Sequence, residues 1–123
     1  GVGPLRHADE IEELGGALTH TRRSSVADAA YEDDVECIAE ARRLLDFLPL
    51  SNRESVPYRP TPDPADRVEM SLNTLVPENP NKAYNMKELL ERVVDEGDFF
   101  EVQPDYAKNI LIGFGLMEGH TVG

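Results

Sequence analysis

Apolar positions recur at helical spacing in two stretches of the chain, and gather into strand-like runs only towards its end. The first stretch sets Val35, Ile38, Ala41, Leu45 and Leu48 on one stripe. Asp33 stands ready to cap this helix, with Glu36 three residues on, and Pro49 stops it. Acidic residues crowd its first turn and Arg42 and Arg43 follow later, as the helix dipole prefers. In the second stretch Asn85 precedes Met86, Leu89, Leu90, Val93 and Val94, with Glu88 three residues after the cap and Gly97 as the residue just past the end. Three extended runs come next, over 99–103, 110–117 and from His120 onward. Glu118-Gly119 makes the tight turn between the last two. The final run has only a few residues, so it reads as a strand cut short.

Elsewhere the pattern is weaker. Asp9 with Glu12 has the form of a capping box for a short helix that Gly15 would close. Residues 17–30 are polar and aperiodic and read as a loop. Seven of the nine prolines fall between residues 49 and 80. Proline fixes φ, removes a donor and holds its predecessor extended, so no helix or central strand is expected through Asp66. Asp63-Pro64-Ala65-Asp66-Arg67 has the composition of a turn. The expected organisation is thus an α/β chain in three parts: residues 1–48, a proline-rich linker over 49–84, and residues 85–123.

Charge narrows the function classes. The net charge of -12 repels a phosphate backbone, which argues against a general nucleic-acid binder, and it disfavours anionic membranes. No run approaches the roughly 20 apolar residues of a membrane span. Cys37 is the single cysteine, so neither an internal disulfide nor a cysteine-cluster zinc site can form. His7, His20 and His120 lie too far apart in sequence to suggest a metal site. Carboxylates around Cys37 oppose a reactive thiolate, and no nucleophile elbow or glycine-rich phosphate loop occurs.

One segment concentrates anion-binding groups. Gly15 and Gly16 offer accessible backbone amides, and His20, Arg22, Arg23 and Ser24 follow within eight residues. Arginine presents a planar donor fork to phosphates, so a phosphorylated ligand such as coenzyme A suits this stretch. The competing reading is that Arg22 and Arg23 simply pair with nearby carboxylates.

Several of these words together resemble a known family. Glu12-Glu13-Leu14-Gly15-Gly16-Ala17, Thr19-His20-Thr21 and Ser25-Val26-Ala27 are similar to a stretch of the carboxyltransferase (beta) subunits of biotin-dependent acyl-CoA carboxylases, nearest to those acting on propionyl-CoA. Leu48-Pro49-Leu50, Asp63-Pro64-Ala65-Asp66-Arg67, Val76-Pro77, Lys82-Ala83-Tyr84-Asn85-Met86, Tyr106-Ala107-Lys108-Asn109-Ile110 and Gly119-His120-Thr121-Val122-Gly123 continue it in order. The resemblance spans residues 12–123; the first eleven depart from it.

The resemblance implies a partial crotonase-like carboxyltransferase fold. Residues 1–48 would end an acyl-CoA-binding half, 49–84 would link, and 85–123 would begin a carboxybiotin-binding half. It implies a homo-oligomeric parent enzyme that moves CO2 from biotin, carried on a partner subunit, to the α-carbon of an acyl-CoA through an enolate. The oxyanion-stabilising glycine-rich segments of such enzymes lie outside these residues. No catalytic residue is therefore assigned, no directly bound cofactor is expected, and the chain alone is expected to be inactive. A cytoplasmic location is implied, or the mitochondrial matrix in a eukaryote. Two other readings remain: a stand-alone interaction module derived from this fold, and a decarboxylase or transcarboxylase parent.

Overall fold

The computed structural model describes residues 16–123. The short helix expected from Asp9 to Gly15 lies outside them. The first described element corrects the sequence reading: Ala17–Arg22 is a helix (α1), not a loop. Its apolar period is hidden by a threonine. Thr21 is only 1% exposed, and its hydroxyl donates back to the Ala17 carbonyl at 2.8 Å. A side chain satisfied within its own turn can be buried without an apolar signature.

Helix α2 covers Asp34–Asp46, and the Asp33 carboxylate caps it by accepting from the Glu36 amide at 2.8 Å. Glu36 returns the contact one residue further out, accepting from the Glu32 amide at 3.0 Å. The helix closes through Phe47, ahead of Pro49. Its buried face differs from the expected stripe. Val35, Ile38 and Leu45 stand exposed, and the packing is made by Leu44 and Phe47. At about 100° per residue these two sets lie on nearly opposite sides of the helix.

The proline-rich stretch stays free of helix and of ladder strand through Asp66, apart from a single bridge of Tyr58 to His120. A short helix, α3 (Leu72–Leu75), follows inside the expected linker. The stretch is fastened rather than loose. The Arg59 amide donates to Gly119 O at 2.7 Å, and the Tyr58 ring lies 4.9 Å from that of His120. Asp63 accepts from the Glu96 amide at 2.7 Å, and Arg67 donates to the carbonyls of Arg92 and Val93 at 3.0 and 3.2 Å. Those carbonyls end helix α4 (Met86–Val93), where free acceptors and a negative partial charge attract a guanidinium.

Asn85 caps α4 by accepting from the Lys87 amide at 3.0 Å. The helix ends at Val93 with Val94 as its cap, earlier than expected, so Gly97 is not the residue just past its end; Gly97 instead closes a 3-10 turn over Asp95–Gly97 in a left-handed conformation (φ 66). Strands β1 (Phe99–Val102), β2 (Ile112–Met117) and β3 (His120–Val122) form an antiparallel sheet in that order. The register opposes Phe100 to Phe114 and Leu116 to Thr121. β1 ends one residue before the expected limit because Gln103 turns into positive φ.

Alternation along the strands gives the sheet two distinct faces. Phe100, Val102, Phe114 and Leu116 meet Leu44 of α2 and Phe47, its C-cap residue. Phe99, Glu101 and Gly113 point to the side of α4, where Lys87 pairs with Glu101 at 3.2 Å. The aromatic centre is compact: Phe47 lies 6.1 Å from Phe100 and 6.3 Å from Phe114. Arg43 covers Phe100 at 5.1 Å and pairs with Asp98 at 2.6 Å. Burial works against the Arg43 charge, but Asp98, and then Glu40, outweigh it and raise its pKa.

Asp95 locks the hairpin. Its buried carboxylate accepts from the amides of Glu118 at 3.2 Å and Gly119 at 2.7 Å. Removing it leaves two donors without that partner, at about 1–3 kcal/mol. Asp95→Ala is therefore expected to speed hydrogen–deuterium exchange of the peptide spanning this turn by about 10-fold, leaving α2 unchanged.

The core is small for the surface that remains. Only Phe47, Val94, Phe100 and Leu116 are buried hydrophobic residues among those described, while twenty large apolar side chains are exposed.

Candidate functional site

The anion-binding segment builds on α1 and the turn after it. Gly15 lies outside the described residues. Gly16 is the extended N-cap residue of α1, and its carbonyl accepts from the His20 amide at 3.2 Å. His20 and Arg22 occupy the last turn, the end of the helix that favours cations. The Arg23 and Ser24 amides both donate to Thr19 O, at 3.0 and 3.2 Å. Ser24 Oγ then meets His20 Nδ1 at 3.1 Å. The structure thus gathers His20, Arg22, Arg23 and Ser24 at one end of α1 and leaves Gly16 at the other, about 9 Å away along a six-residue helix.

Arg22 and Arg23 are exposed, and His20 is half-buried. An open cleft of about 540 Å³ lies beside Arg22, with Glu32, Glu36 and Asp105 on its walls. These carboxylates set a negative field against the guanidinium, so a phosphate would be held from the exposed side of the arginines rather than inside this cleft.

Tyr31 forms part of that wall and also lines a second cleft, of about 210 Å³, between α2 and β1. Cys37, Ala41, Leu44, Phe100 and Val102 give the second cleft its apolar lining. The Tyr31 hydroxyl has a raised pKa, from burial first and then from the charges of Glu40, Cys37 and Glu36. This cleft was not apparent in the sequence. It is assembled from residues 28–44 and 100–102, and the only local hint is the small pair Ala29-Ala30 before an aromatic residue. Cys37 is exposed beside it. Among the described residues, no three His, Cys, Asp or Glu side chains are placed to hold a metal ion. No helix among them is long and apolar enough to cross a membrane.

The chain belongs to the carboxyl transferase domain family, whose model matches residues 7–123. It is 65% identical over 112 residues to the propionyl-CoA carboxylase beta chain of Roseobacter denitrificans, covering 91% of this chain and 22% of that relative. It is 46% identical over 112 residues to the methylmalonyl-CoA decarboxylase subunit alpha of Veillonella parvula, with the same two coverages of 91% and 22%. Among solved structures it is similar to transcarboxylase 12S, described as a hexamer with methylmalonyl-coenzyme A bound, at a TM-score of 0.86 and 32% identity, covering 91% of this chain and 21% of that one. The chain therefore spans about a fifth of the length of these relatives. The expected fold class, a partial α/β crotonase-like carboxyltransferase fold, agrees with this likeness.

Proposed function

We propose that this chain is an internal segment of the carboxyltransferase subunit of a propionyl-CoA carboxylase, where it joins the acyl-CoA-binding half to the carboxybiotin-binding half. Identity to the Roseobacter denitrificans beta chain carries this reading: 65%, against 46% for the decarboxylase subunit over the same number of residues. The uncovered apolar surface supports it too, because side chains such as Val35, Ile38 and Leu50 need a partner that the described residues do not supply.

In this reading residues 1–48 end the first half, 49–84 link, and 85–123 begin the second. The complete enzyme transfers CO2 from carboxybiotin, borne on the partner biotin-carrier subunit, to the α-carbon of propionyl-CoA, giving methylmalonyl-CoA. Biotin is thus a co-substrate delivered by a partner, and no residue of this segment is assigned to it. The segment contributes no catalytic residue and is inactive alone. Its mechanical part is the seating of α2 on the sheet through Phe47, which sets the two halves against each other. The enzyme works as a homo-oligomer, in the cytoplasm or the mitochondrial matrix.

Gly15, Gly16, His20, Arg22, Arg23 and Ser24 belong to the acyl-CoA contact of that enzyme. The exposed guanidiniums of Arg22 and Arg23 meet the phosphates, and the His20–Ser24 hydrogen bond holds the turn that carries them. A charged hydrogen bond is worth about 1.5–3 kcal/mol. Replacing both arginines by alanine in the full-length subunit is expected to raise KM for propionyl-CoA by about 10-fold or more, with kcat nearly unchanged, as loss of uniform binding requires.

The test of the function itself is a graft. The matching 112-residue segment of the Roseobacter denitrificans beta chain is replaced by that of this chain, and the subunit is assembled with its biotin-bearing partner. Fixation of labelled bicarbonate into methylmalonyl-CoA at close to the parental rate supports the reading. An assembled but inactive enzyme counts against it. Release of CO2 from methylmalonyl-CoA without carboxylation would favour the decarboxylase parent instead.

A further inference from the structure

One residue of the proline-rich stretch, Arg59, bonds both to the end of α2 and to the β2–β3 turn. We infer that Arg59 is a positioning residue for carboxylation, clasping the last turn of α2 to that hairpin and so holding the first half of the subunit against the second; this rests on the carboxyltransferase reading above.

The backbone of Arg59 faces the hairpin. Its amide donates to Gly119 O at 2.7 Å, beside the bridge between Tyr58 and His120. The approach is so close that a Cβ at Gly119 would collide with the Arg59 carbonyl oxygen and with the Tyr58 ring. Gly119 is itself fixed, because its amide donates to the buried Asp95 carboxylate at 2.7 Å. Arg59 therefore rests on a braced point of the sheet. Its side chain reaches the other way, and the guanidinium donates to Asp46 O at 3.2 Å. Asp46 is the last residue of α2, where free carbonyls and the negative end of the dipole favour a cation.

The chain between these two points does not fix them by itself. Residues 49–56 are exposed, and the hydrogen bonds over 50–54 close on one another: the Leu50 amide donates to the Glu54 carboxylate, and the Glu54 amide to Ser51 O, each at 3.2 Å. Arg59 closes this loop at its neck. Transfer between two reactants bound on the two halves needs near-attack geometry, and a misplacement of about 1 Å can cost about 100-fold. Arg59 touches neither reactant; it acts through the seat of α2.

The test uses the full-length grafted subunit assembled with its biotin-bearing partner. Arg59→Met keeps the length and loses the donors. It is expected to lower kcat about 5-fold, the worth of a cation at a helix C-terminus. Calorimetry is expected to show unchanged Kd and stoichiometry for propionyl-CoA, so the loss is read per intact site. Exchange of the peptide over residues 44–50 is expected to quicken. Arg59→Lys is expected to stay within about 2-fold of the parent by both measures, since a single carbonyl asks for one N–H and not for a planar fork. Parental kcat in Arg59→Met would overturn the role. So would a fall in kcat matched by a fall in binding stoichiometry, which marks misfolded subunits, or a loss that Arg59→Lys does not recover. A graft that retains Arg59 and assembles, yet does not carboxylate, would overturn the functional reading and this role with it.

Discussion

Replacing Phe47 by alanine is expected to free α2 from the sheet, at a cost of about 3–5 kcal/mol. Phe47 is 2% exposed and stands at the centre of the only buried cluster among the described residues, touching both Phe100 of β1 and Phe114 of β2. Its loss opens a cavity that Leu44 and Leu116 cannot fill without moving the helix. The Arg43–Asp98 pair would then be the main remaining tie, and as a partly exposed ion pair it contributes little. Hydrogen exchange of the full-length subunit should accelerate in both α2 and β1, while α4 stays protected by Arg67. In the proposed function this variant also uncouples the two halves, so carboxylation should fall well beyond what acyl-CoA binding loses. Phe47→Leu, which keeps most of the volume, should recover much of both. Equal protection in Phe47→Ala and the parent would contradict the role given to this ring.

A single methyl group at Gly113 is expected to be comparably damaging. A Cβ there would sit 2.2 Å from the Phe100 carbonyl oxygen and 2.6 Å from the Phe99 ring. The first of these is backbone of the strand paired with β2, and it cannot turn aside as a flexible side chain would. Gly113→Ala must therefore push β1 and β2 apart at the point where Glu101 opposes it. Overpacking of this kind costs about 1–3 kcal/mol when side chains can yield, and a rigid partner places this case at the upper end or above. The expected result is loss of exchange protection along β1 and β2 and a drop in soluble yield of the full-length subunit. Normal yield with an unchanged sheet would show that the strand contact is looser than these distances imply.

Much of this architecture is legible from short-range chemistry. Asp33 and Asn85 cap the helices they precede because a side-chain oxygen next to a free amide is a local matter. The Glu118-Gly119 turn is likewise local, and positive φ at both residues is what a tight hairpin demands. The choice of helix face was not local. Helix α2 and its cap carry apolar side chains on two sides, and spacing alone favoured Val35, Ile38 and Leu45, whereas the sheet selected Leu44 and Phe47 because Phe47 fills the space between two phenylalanines. Helix α1 was missed because Thr21 is buried with its hydroxyl satisfied internally, so polarity there did not mean exposure. The same division holds for the site. The arginine pair and its neighbours are close in sequence and could be read directly. The cleft beside Tyr31 exists only once β1 has packed on α2.

In the proposed function these residues form a junction whose core is completed by the rest of a carboxyltransferase subunit. Differential scanning calorimetry of the isolated 123-residue chain, with its association state checked by sedimentation, tests this most directly. With only four buried hydrophobic residues among those described, the isolated chain is expected to give no cooperative heat-absorption peak, or to gain one only on self-association. A sharp two-state transition from a monomer would contradict the claim, and would favour a self-sufficient module that uses its exposed helix face to meet a partner.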